Sequence, residues 1–128
     1  MVTPLDIFSG FSVDDIAAAR TFYRDTLGLD VTDGPMDNLD IALPAGGHVF
    51  VYAKPDHTPA SFTILNLVVD DIDAAVDDLN GRGVATKIYG DELPTDDRGV
   101  MRGRSQDRGP DIAWFRDPAG NVLSVLQN

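Results

Sequence analysis

The string VDDI occurs twice, at residues 13–16 and again at residues 69–72, and alanines follow both copies: VDDIAAA, then VDDIDAA. Such a junction joins two periodicities. Before the first copy, Asp6 to Val13 (DIFSGFSV) carries phenylalanines and a valine between polar residues, the pattern of a strand. After it, Ile16, Ala19, Phe22, Tyr23 and Leu27 recur at the three-and-four spacing of an amphipathic helix, with Asp14 or Asp15 able to cap its free amides and Gly28 placed to stop it. The second copy repeats the arrangement. Ser61 to Val69 (SFTILNLVV) reads as strand, Asp70 or Asp71 as cap, Ile72, Val76 and Leu79 as the buried stripe, and Gly81 or Gly83 as stop.

Each helix is followed by three strand-like segments separated by glycine- and proline-bearing turns. In the first half these are Leu29 to Thr32, Leu39 to Leu43 and His48 to Ala53; in the second, Val84 to Tyr89, Asp111 to Arg116 and Val122 to Leu126. Both halves therefore read βαβββ, in a single domain with module one at 1–56, module two at 61–128 and a hinge around HTPAS. The second half is longer because of DELPTDDRGVMRGRSQDRG, a charged, glycine-rich run read as a flap loop over about 90–110.

The totals exclude several functions. At 128 residues the chain is of single-domain size and buries enough surface to fold unaided. It has no cysteine, hence no disulfide framework, thiolate nucleophile or cysteine-bound metal. No long apolar run exists, and the N-terminus lacks the positive start and apolar stretch of a signal peptide, so a cytoplasmic location is expected. A net charge of −11 repels phosphate backbones and anionic lipid, which argues against nucleic acid or membrane as partners and favours cationic ligands. No Ser-His-Asp ordering, phosphate-binding glycine loop or dinucleotide fingerprint stands out.

The doubled βαβββ unit, the helix running into FYRDTLGL, and the closing WFRDPAGNVLSV together resemble the vicinal oxygen chelate superfamily, which holds glyoxalases, extradiol dioxygenases, fosfomycin-modifying enzymes and bleomycin-resistance proteins. The resemblance covers nearly the whole chain. It implies an α+β fold in which two βαβββ modules form curled mixed sheets around a cavity, and a homodimer. It also implies a divalent metal held by four positions, one on the first and one on the last strand of each half, usually histidine and glutamate.

Counted from the repeated landmarks, those four positions here are Phe8, Val51, Ile64 and Ser124. Three are hydrocarbon and one is a hydroxyl, so the lone pairs that manganese, iron, nickel or zinc require are missing. The expectation is a protein without metal or other cofactor that binds a small organic molecule in a mostly apolar site, in the manner of a drug-sequestering protein. The alternative implied by the resemblance is a glyoxalase-like lyase, an isomerase or a dioxygenase with an atypical site. That would use His48, His57 and the flap carboxylates Asp96, Asp97 and Asp107, or work without metal on His57, Lys54 or Tyr89.

Other candidate ligand contacts are polar or aromatic residues on the same strands. Asn66 alternates with apolar neighbours, and a buried amide needs hydrogen-bond partners. Trp114 shares a strand face with Ile112 and Arg116, where its indole suits either a flat ligand or the core. Tyr89 ends a strand beside the flap. Arg98, Arg102, Arg104 and Arg108 form a basic patch on the flap, a solvated loop or a lid that meets an anionic group through Arg102. Asp117, Pro118, Gly120 and Asn121 are read as the turn before the last strand.

Overall fold

The computed structural model describes all residues, 1–128, and they divide into two compact units, Met1–Pro59 and Ala60–Asn128. Each unit is a four-stranded mixed sheet with a helix on one face.

In the first unit, β1 (Ser9–Val13) leads into α1 (Ile16–Arg20), which widens into a π-helical turn over Thr21–Thr26. Then come β2 (Asp30–Asp33), β3 (Asn38–Ala42) and β4 (His48–Ala53). The strand order is β1-β4-β3-β2, with β1 and β4 parallel and the other pairs antiparallel. The second of the paired aspartates makes the cap. Asp15 is extended, and its carboxylate accepts the Ala18 N–H at 3.1 Å, one of the amides that the first helical turn leaves unpaired. Gly28, at φ +72°, ends the helical stretch in the left-handed conformation that glycine adopts without steric cost.

The second unit has β5 (Thr63–Val68), α2 (Ile72–Gly81), β6 (Val100–Arg102), β7 (Asp111–Arg116) and β8 (Val122–Gln127), ordered β5-β8-β7-β6. Here the same geometry recurs: Asp71 accepts the Ala74 N–H at 3.1 Å, and Gly83 follows the helix at φ +84°.

The apolar stripes pack as the periodicity predicts. Ile16, Ala19, Phe22 and Tyr23 are buried in the first unit; Ile72, Val76 and Leu79 in the second. Each helix meets one side of its own sheet, through Phe11, Leu39, Ile41 and Val51 in the first and through Ala113, Phe115, Leu123 and Val125 in the second. No helix is long and apolar enough to cross a membrane.

One strand expectation is corrected. Val84 to Tyr89 is not a strand, and the third strand of the second unit is β6, inside the run read as a loop. Two observations explain this. Thr86 is buried and donates its hydroxyl to the Arg98 carbonyl at 2.8 Å, while Gly99 lies against the Thr86 backbone, so this segment is held by close approach rather than by a ladder. The edge of β7 is taken by Val100, Met101 and Arg102, paired with Ala113, Ile112 and Asp111.

Candidate functional site

Because side chains alternate across a strand, the residues of each sheet that do not face the helix form a second face, and each unit has one.

In the first unit this face is aromatic. Directly paired residues share a side, so the pairing of Gly10 with Phe50 and of Ser12 with Tyr52 places His48, Phe50 and Tyr52 together, opposite to Val49 and Val51. Phe8, just ahead of β1, stacks on the His48 imidazole with ring centres 4.7 Å apart, and meets Phe50 edge-on at 6.3 Å. Phe50 in turn lies 5.7 Å from the Tyr52 ring at a shallow angle. Phe8 is 55% exposed and Tyr52 38%. These are large apolar surfaces left in water, and burying them is the driving force a ligand would use. Polar groups border the rings. Asp40, paired with Phe50, holds a carboxylate oxygen 3.8 Å from His48 Nε2, and the Ser12 hydroxyl lies 2.6 Å from His57 Nδ1.

In the second unit the corresponding face carries Ser124, Trp114 and Asn66, which are register neighbours. Ser124 is fully buried and its hydroxyl donates to Asn66 Oδ1 at 2.7 Å; Asn66 is not the buried amide expected but an exposed one, so its N–H groups face solvent or a ligand. The half-buried Trp114 ring meets Tyr89 edge-on at 5.5 Å, so the Tyr89 ring braces the indole. Ile64 sits where the β5–β8 register shifts, between Thr63 and Leu65.

Two expected site residues are corrected. Val51 is not on the open face: it is fully buried, paired with Phe11 and Leu39 on the helix side, and its two neighbours in β4, Phe50 and Tyr52, lie on the open face instead. Arg102 is no free cation on a lid. Its guanidinium reaches Asp73 at 2.7 and 3.2 Å and Asp96 at 3.4 Å, with Asp111 at 3.8 Å. Arg98 joins the same network through Asp73 at 2.9 Å and through Asp77, and Arg104 lies 3.7 Å from Asp111. Three of the four arginines of the basic patch, Arg98, Arg102 and Arg104, are thus paired with acids of their own unit. The Asp73 carboxyl titrates below its ordinary range, first because Arg102 hydrogen-bonds its ionised form, and the Arg102 value rises in response. Lys54 is half-exposed, 3.8 Å from Asp56, just beyond β4.

The residues that sequence reasoning missed are Phe50, Tyr52 and Asp40. Their signal was the alternation of HVFVYA, which defines two faces without saying which is open.

The donor set does not suit the metal that the resemblance implies. Phe8 and Phe50 offer no lone pair, Ile64 is aliphatic, and Asn66 and Ser124 are neutral groups bonded to each other. No three His, Cys, Asp or Glu side chains converge on a point where an ion would fit.

A family model described as Glyoxalase/Bleomycin resistance protein/Dioxygenase superfamily matches residues 7–125. No curated protein matches the chain. Among solved structures, a member of the same superfamily from Sphaerobacter thermophilus is 24% identical, with 97% of this chain and 98% of that one covered and a TM-score of 0.67. A fosfomycin resistance protein from Listeria monocytogenes is 12% identical over 100% of this chain and 95% of that one, with a TM-score of 0.70. A lactoylglutathione lyase from Agrobacterium tumefaciens is 20% identical over 98% and 95%, with a TM-score of 0.63. At these identities the likeness is one of fold.

Proposed function

The chain belongs to the Glyoxalase/Bleomycin resistance protein/Dioxygenase superfamily, and from that premise we propose that it binds a small, partly apolar organic molecule without a metal ion, as a sequestering or carrier protein acting in the cytosol as a homodimer. The observation that carries this reading is the row of rings on the open face of the first sheet. Phe8 and Phe50 bring no donor group for an ion to that face, and with Tyr52 they offer aromatic surface instead. The dimer is supported by the apolar N-terminal arm, where Met1, Val2, Leu5 and Ile7 are all exposed.

The test is elemental analysis of the purified protein after incubation with manganese, iron, nickel and zinc, followed by a thermal-shift screen of organic compounds. Absence of stoichiometric metal together with stabilisation by a screened compound supports the reading. Stoichiometric metal, or a complete screen without a hit, overturns it.

A second reading, metal-free catalysis, draws on one observation: Ser12 Oγ lies 2.6 Å from His57 Nδ1, a hydroxyl and an imidazole within proton-transfer reach. It requires turnover of some substrate that is lost in His57→Gln while ligand binding persists.

A further inference from the structure

The open face of the first sheet has a charge pattern as well as an aromatic one. Pairing of β2 with β3 puts Asp30 opposite Ala42 and Thr32 opposite Asp40, so both carboxylates lie on the side that bears Phe50 and Tyr52. Along its strands this face bears no lysine or arginine; its one imidazole, His48, lies 3.8 Å from Asp40, and Lys54, past the end of β4, faces Asp56 at 3.8 Å. Asp30 is exposed, and the Asp40 side chain is 37% exposed. Gly10, paired with Phe50, adds no side chain between Phe8 and Ser12; a Cβ there would come within 3.0 Å of the Phe50 carbonyl oxygen. The Phe50 side chain itself lies over Gly10, its Cβ and Cδ1 3.5 and 3.7 Å from where a Cβ would stand, so the missing side chain lets the Phe50 ring lie flat on β1 in line with the Phe8 and Tyr52 rings.

An aromatic ring is electron-rich over its face, and a cation within about 6 Å of the ring centre is attracted to it. Neighbouring carboxylates strengthen that attraction, and the net charge of −11 draws cations towards the protein. Neutral apolar ligands gain from the rings but nothing from Asp30 and Asp40, and anions are repelled.

Resting on the ligand-binding reading above, we propose that this face recognises an alkylammonium group, seated against Phe8, Phe50 and Tyr52 with Asp40 as its counter-charge. The ligand class is therefore an organic amine or quaternary ammonium compound with an apolar body.

The experiment compares choline with its neutral carbon isostere, 3,3-dimethylbutan-1-ol, on the full chain, following the aromatic proton signals of Phe8 and Tyr52 by NMR. Choline is expected to bind about tenfold more tightly than the alcohol. Phe50→Leu keeps an apolar side chain but removes the central ring, so it should reduce the preference several-fold while retaining binding of the alcohol. Asp40→Asn should weaken choline several-fold and leave the alcohol unchanged. An unaltered amide spectrum certifies the fold of each variant. Equal binding of the two probes, or a preference that neither Phe50→Leu nor Asp40→Asn diminishes, overturns the ammonium assignment while the broader ligand reading stands. Binding of neither probe, with Phe8→Ser converting a dimer to a monomer, assigns the face to a second copy of the chain and overturns the inference. Failure of every compound in the thermal-shift screen removes the broader reading itself.

Discussion

The guanidinium of Arg102 grips both carboxylate oxygens of Asp73, with Nη2 2.7 Å from one and Nη1 3.2 Å from the other. Asp73 lies in the first turn of α2, and Arg102 ends β6, so the pair ties a charged segment that has little apolar surface of its own to the helix beside it. Two-pronged contacts of this kind hold geometry as well as charge. Asp73 also receives Arg98, which makes the tie a network rather than one exposed pair.

Asp73→Asn should destabilise the protein by about 1 kcal/mol near neutral pH, a modest figure because the Asp73 side chain is half-exposed and solvent screens it. The sign with pH follows from the depressed carboxyl value. A group whose folded value lies below its unfolded one stabilises the fold above the ordinary carboxylate range, and the contribution disappears as pH falls through the folded value. The gap between the native chain and Asp73→Asn should therefore close on acidification, as read by urea unfolding at a series of pH values.

Removal of either helix cap separates the two aspartates of each VDDI. Asp15→Ala and Asp71→Ala should each cost about 1 kcal/mol, because each leaves an N–H of the first helical turn without its acceptor. Asp14→Ala and Asp70→Ala, one residue earlier and not the capping residue, should change stability by less than about 0.5 kcal/mol. Urea midpoints of the four variants decide the matter.

The two faces of β4 should respond oppositely to truncation. Val51→Ala removes a fully buried side chain between Phe11 and Leu39 and should cost about 2 kcal/mol, with ligand affinity unchanged in the folded fraction. Phe50→Ala should cost less stability and lose most of the affinity. Thermal unfolding and a binding isotherm on the same two variants test the assignment.

Gly99 should not tolerate alanine. Its φ is +86°, and a Cβ would stand 2.0 Å from the Thr86 carbonyl oxygen, so Gly99→Ala must displace backbone and should cost more than about 3 kcal/mol. Gly81→Ala is the control: nothing lies within 4 Å of its Cβ position at the end of α2, and the change should be neutral or stabilising. Differential scanning calorimetry of both variants gives the comparison.

The sequence alone determined the repeat, the capped helix starts, the glycine stops and the apolar stripes, because each rests on residues a few positions apart whose physics is local. Asp15 and Asp71 act on amides three residues ahead, and Ile72, Val76 and Leu79 share a face whatever they later pack against. What lies open to a ligand was not local. Phe50 and Val51 are both legible as strand residues, but the choice between them depends on Phe11 lying beside Val51 and packing against Tyr23 of the helical segment. The short β6 strand and the pairing of Arg102 with Asp73 likewise belong to the tertiary structure, since three residues carry too little periodicity to reveal a strand, and an arginine's partner twenty-nine positions away is set by the packing of the chain between them.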